Sequence, residues 1–184
     1  VTLPEGYHIE YGGQFESAQS ASRTLILTSM MAILVIFLML YAQFRKVSQA
    51  LAVLLNLPLA LIGGVFAVFF TDGIISIPAI IGFISLFGIA TRNGMLLIER
   101  YNELISNGLT LQEAVMRGSL DRLNPILMTA LTSALALIPL VVNGDKAGNE
   151  IQSPMAVVVL GGLLTSTLLN LYVMPVVYEW YKRK

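Results

Sequence analysis

The sequence predicts an all-α membrane protein, five transmembrane helices preceded by a short N-terminal strand. Three observations carry this reading. Five apolar runs are each twenty residues or longer, enough to cross a hydrocarbon core of roughly 30 Å at about 1.5 Å per residue. The composition is 56% hydrophobic and only 12% charged, about half the charged share of a soluble domain, and the mean hydropathy is +0.77. Basic residues also gather in alternate loops, as they do when loops alternate between the two sides of a bilayer.

The N-terminal segment, 1–24, differs from the rest. Tyr7, Ile9 and Tyr11 alternate with His8 and Glu10, the period of a strand, and Gly12 and Gly13 end it. A single strand is not stable alone, so its sheet partners are expected elsewhere. The chain starts at Val1 with no signal peptide visible, and we expect a piece of a longer protein. Residues 14–24 are polar and helix-compatible, and lead into the first span.

The spans are expected at 25–44, 49–70, 74–98, 123–142 and 155–178. A cytoplasmic link follows the third span at 99–121, and a tail occupies 179–184. Within the link, Thr110 and Glu113 have capping-box spacing after Gly108. Leu111, Ala114, Val115 and Gly118 give the next turns an apolar face. A short helix at the membrane surface is expected there.

Orientation follows from the basic residues. Arg45, Lys46, Arg100, Arg117, Arg122, Lys182, Arg183 and Lys184 share one side, and only Arg23 and Lys146 lie on the other. The richer side is expected to be cytoplasmic. The N-terminal segment and the loop 143–153 then lie outside and the C-terminus inside. The formal net charge of zero gives no electrostatic case for nucleic acid. The absence of cysteine rules out disulfides and thiolate metal sites within the chain.

Arg92 is the residue that points to function. It is the single formal charge in the 25-residue run 74–98, where a guanidinium costs about 2.5–3.5 kcal/mol on insertion scales. Such a charge usually faces a protein interior and belongs to an ion or proton path. Ser85, Arg92 and Glu99, seven residues apart, fall on one helical face, with Asn93 beside it. Arg122, Thr129 and Ser133 share a face of the fourth span, and the fifth carries Thr165, Ser166, Thr167 and Asn170. Three polar stripes could thus line one interior path.

Each has a simpler reading. Intramembrane hydroxyls often bond their own backbone or a neighbouring helix. Arg122 has the position of a cytoplasmic anchor, and Arg92, roughly 10 Å of helix from Glu99, could snorkel. An arginine does not give up its proton, but it can pair with a carboxylate that does. No carboxylate stands in the middle of any span, so that partner must come from another part of the protein.

Gly63, Gly64, Gly82, Gly88, Gly94, Gly161 and Gly162 are expected at close helix approaches. Pro58, Pro78, Pro125, Pro139 and Pro175 are expected to kink or start spans. Met30, Met31 and Met39 raise a soft-metal path, but their spacing does not place all three on one face, and methionine is an ordinary gap filler. His8 stands alone. Neither a metal site nor a cofactor is predicted, and with no catalytic triad, phosphate loop or zinc motif an enzyme is not expected.

In order along the chain, LPEGYHIEYGGQFE (3–16), LYAQFRK (40–46), GIATRNGMLLIERYNEL (88–104), RLNPILMTALTSALALIPL (122–140) and GGLLTSTLLNLYVMPVVYEW (161–180) resemble the C-terminal membrane segment of resistance-nodulation-division (RND) efflux pumps. The resemblance implies that the five spans are the eighth to twelfth of a twelve-helix bundle in the bacterial inner membrane. Members of this family are homotrimers driven by proton influx, and many join a periplasmic adaptor and an outer-membrane channel. It also implies a relay in which acids of the fourth helix, in the absent N-terminal part, meet Arg92 and Asn93 of the tenth and Arg122 and Thr129 of the eleventh. GFISLFGIATRNG (82–94) is most similar to the heavy-metal branch, which implies export of metal cations by proton antiport. Arg92 stands where many drug exporters have a lysine, so an exporter of organic compounds is the alternative. A non-transporting membrane scaffold is a second.

Overall fold

The computed structural model describes residues 14–71 and 73–182. The expected strand at 7–11 lies outside them. The described residues form six helices, α1 (Gln14–Phe44), α2 (Val47–Leu54), α3 (Asn56–Phe70), α4 (Ile77–Ser106), α5 (Leu111–Val142) and α6 (Gln152–Lys182). Five are long and apolar enough to cross a membrane once α2 and α3 are taken together as Val47–Phe70, and no strand occurs among the described residues. The chain is an all-α membrane protein.

The helix ends have local causes. α1 takes in the polar lead-in and ends at Arg45, whose φ of 52° reverses the chain. The second span is not continuous, because it breaks at Leu55 between α2 and α3. Pro58 explains the break: it has no N–H for the carbonyl of Leu54, and its ring crowds that carbonyl. Ser76 caps α4 by accepting from the Ala79 amide at 3.4 Å, with Pro78 in the first turn. Gly108, at φ 93°, turns the chain out of α4 in a backbone conformation that favours glycine.

The capping box at α5 is formed: Glu113 N–H donates to Thr110 Oγ1 at 3.4 Å, and Thr110 N–H donates to Glu113 Oε2 at 3.1 Å. The helix it opens is not a separate surface element. It runs unbroken for 32 residues, through Pro125 and Pro139, to a length of about 48 Å. Residues 111–121 are therefore the first turns of the membrane helix itself. Thr110→Ala in the full-length protein is expected to lower stability by about 1 kcal/mol, seen as a lower thermal midpoint in detergent.

α6 is the hub, packed against α2, α3, α4 and α5. Small residues bring it close to its neighbours. A Cβ on Gly63 would overlap the Gly161 carbonyl and the Thr165 hydroxyl, and one on Gly161 would overlap Ala67. At Gly82 it would lie 2.9 Å from the Met155 carbonyl, and at Gly162 it would strike Leu86. Gly88 departs from the expectation, since nothing lies within 4 Å of a Cβ there. α1 and α5 are the least covered spans, each with 6% of its apolar window buried against 50% for α6.

Candidate functional site

The expected polar face of α4 exists, and it points out of the five-helix unit. Ile81, Ser85, Gly88, Arg92 and Glu99 are all exposed, at the three-, four- and seven-residue spacings of one helical stripe. The opposite side of α4, from Gly82 through Leu86, Ala90, Leu97 and Tyr101, is buried. Ser85 donates to its own helix at Ile81 O, 3.0 Å. Gln43 of α1 donates to Glu99 at 3.4 Å. Arg92 makes no hydrogen bond or ion pair among the described residues; the two ion pairs there belong to Arg100.

Asn93 belongs to the other side of the helix. It is 6% exposed, and its Nδ2 has no partner among the described residues. Sequence numbering puts it next to Arg92, but one helical step is about 100°, which carries it from the open face to the packed one. Arg122 is half-buried, and its Nε has no partner among the described residues. Thr129 is exposed and bonds its own helix, donating to Pro125 O at 3.1 Å and Ile126 O at 2.9 Å. No hydrogen bond or ion pair joins Arg92, Asn93, Arg122 and Thr129 to one another among the described residues. The simple reading holds for Thr165, which bonds Gly161 O and Gly162 O, and not for Thr167, whose buried hydroxyl has no partner.

α4 and α5 are joined instead beyond Arg92, toward the turn between them. Arg100 contacts Asp121 at 2.6 Å and Glu103 at 2.8 Å, and the Tyr101 and Ser119 hydroxyls are 2.6 Å apart. The ion pairs lie at the surface, where such pairs contribute little. The fastening is chiefly Tyr101, which is fully buried, with Gly118 so close that a Cβ would lie 2.6 Å from its ring.

Two amide clusters, one buried and one half-buried, are not legible as clusters in the sequence. Asn56 donates to Asn170 at 2.8 Å, and Asn170 donates to Ser166 at 3.3 Å. Gln49 and Asn102 exchange hydrogen bonds at 3.2 and 3.3 Å, and Tyr178 donates to Asn102 at 2.7 Å. The signal available was a lone amide, Asn56, inside the apolar run 50–62. Met30, Met31 and Met39 are exposed on α1. Among the described residues no three His, Cys, Asp or Glu side chains gather as metal ligands.

Among the described residues α4 thus presents an unpaired guanidinium on an uncovered stripe, backed by a polar interior. The chain belongs to the AcrB/AcrD/AcrF family, whose sequence model matches residues 1–182. It is 40% identical over 184 residues to the cobalt-zinc-cadmium resistance protein CzcA of Cupriavidus metallidurans, across 100% of this chain and 17% of the relative. Protein HelA of Legionella pneumophila is 45% identical over 179 residues, again with 17% of the relative covered. The crystal structure of a heavy metal efflux pump superposes with a TM-score of 0.85 at 34% identity, covering 99% of this chain and 18% of that one. The chain thus spans about a sixth of the length of the relatives it matches. Five apolar helices together with these relatives make it part of a multi-pass inner-membrane protein.

Proposed function

We propose that this chain is helices eight to twelve of a proton-driven RND pump that exports metal cations by proton antiport. The observation that carries the reading is Arg92. It is a permanent charge at membrane depth on an uncovered stripe of α4, without an ion-pair partner among the described residues. A charge so placed needs a counter-charge, and a carboxylate from the N-terminal part of the same transporter supplies it. The ion pair holds while the carboxylate is ionised, and protonation releases it. Arg122 and Thr129 orient water or the same carboxylates from α5. Asn93, buried on the same turn as Arg92, supplies a polar group inside the bundle.

Gly88 supports the same picture, because its bare backbone on the Arg92 stripe leaves room for another helix. The metal substrate rests on the relatives, whose names are those of metal-resistance proteins. Residues 1–24 end the periplasmic porter region, residues 25–178 form the membrane domain, in which 99–121 (the end of α4, the turn and the first turns of α5) lie on the cytoplasmic side, and 179–184 is a cytoplasmic tail. The pump assembles as a homotrimer with a periplasmic adaptor and an outer-membrane channel.

The test uses the full-length protein in liposomes with an imposed pH gradient. Zinc added on the cytoplasmic side is expected to speed the collapse of the gradient and to enter the lumen on the other side. Gradient collapse with an amphiphilic organic cation and not with zinc, cobalt, nickel or cadmium would assign the pump to organic substrates. Movement of none of these would favour a scaffold.

A further inference from the structure

We propose that the buried pair Asn56 and Asn170 sets the rotation of α4 about its axis, and so the direction in which Arg92 points. The two asparagines are positioning residues. Asn56 is 2% exposed and Asn170 is fully buried. Their amides meet at 2.8 Å, and Ser166 holds the second at 3.3 Å. In apolar surroundings an amide left without a partner is costly, so the chain of bonds is kept in one register.

α4 rests on this pair with bare backbone. A Cβ at Gly94 would lie 2.6 Å from Asn56 Nδ2, 3.3 Å from Val53 and 3.6 Å from Asn170 Oδ1. Gly94 is two residues from Arg92, hence about 200° round the helix. The face pressed on the amides is nearly opposite the face that carries the charge. A second cluster, Gln49, Asn102 and Tyr178, repeats the arrangement eight residues further along both α4 and α6. On the other partner the two clusters lie on either side of the α2–α3 break, with Gln49 on α2 and Asn56 on α3. Rotation of α4 requires both to yield.

The consequence for transport rests on the proton-relay reading of Arg92, but the geometry can be tested apart from it. In a full-length protein freed of other cysteines, Arg92→Cys reports the environment of that face through its rate of modification by N-ethylmaleimide. Gly94→Ala is expected to change that rate several-fold. Met116→Cys, exposed on α5, should not respond. Should Gly94→Ala fail to accumulate, Asn56→Leu with Asn170→Leu, an apolar pair of similar shape, carries the same test. An unchanged rate at position 92 in folded variants would overturn the proposal.

With Arg92 restored, the double leucine variant is expected to slow zinc-driven turnover with little change in the KM for zinc. A KM effect alone would also count against positioning. Normal transport by Arg92→Ala would remove the relay reading and leave the labelling result to decide this proposal.

Discussion

Arg92→Ala in the full-length transporter is expected to abolish zinc-driven proton movement while leaving the protein at normal abundance. The two halves of the expectation have separate causes. Abundance is preserved because the guanidinium is exposed on α4 and contributes no hydrogen bond or ion pair among the described residues. Its loss opens no cavity in this part of the bundle. On the proposed relay, activity falls because a proton-accepting carboxylate inside a membrane would depend on a fixed positive charge to ionise. Removing one partner of a desolvated charge pair costs about 2–5 kcal/mol, which is at least about thirtyfold in an equilibrium or rate. Arg92→Lys keeps the charge without the planar fork, and should retain part of the activity. Zinc-dependent quenching of a trapped pH indicator is the measurement, and wild-type rates from Arg92→Ala would end the relay reading.

Gly161→Ala is expected to destabilise the bundle by about 1–3 kcal/mol, with Gly161→Leu worse. The α3–α6 crossing is built from Gly63 and Gly161, where an added Cβ meets the opposing carbonyl or the Ala67 side chain. Backbone has no rotamer into which to retreat, so the helices must separate, and in lipid close packing is the main force holding them. Gly63→Ala should cost a similar amount. Because both substitutions act on one crossing, their combination should cost less than the sum. Thermal unfolding of the full-length protein in detergent measures all three variants, and Val65→Ile, on the exposed side of α3, serves as the neutral reference. Additive losses would mean that the two glycines do not share a contact.

The spans were legible because length and apolarity are local properties, and the five runs in the sequence correspond to four long helices and the broken pair α2–α3. The capping box was legible for the same reason, as Thr110 and Glu113 are three residues apart. Two local signals reach further than their sequence shows. Pro58, expected to kink or start a span, breaks the second one at Leu55. The capping box opens a helix much longer than the short one expected, because nothing between Gly118 and Leu123 stops the turn from continuing.

The site was partly legible. The stripe of Ser85, Arg92 and Glu99 follows from a period of 3.6 residues, but its facing outward does not, because exposure depends on which neighbours are present. Asn93 shows the limit of reading by adjacency. Asn56 and Asn170 are 114 residues apart, and nothing local in either segment announces the other.

The fastening of α4 to α5 has a mechanical consequence. From Arg92 to Ser106, α4 is an uninterrupted rod of about 21 Å, and Tyr101 with Ser119 pins its far end to the start of α5. A displacement of Arg92 along the helix axis, as the proposed relay would bring about, would be carried down this rod toward the turn at Gly108. That turn is then the instrument dial of the membrane site. A spin label or fluorophore at exposed Asn107 would register the state of a charge two-thirds of a bilayer away.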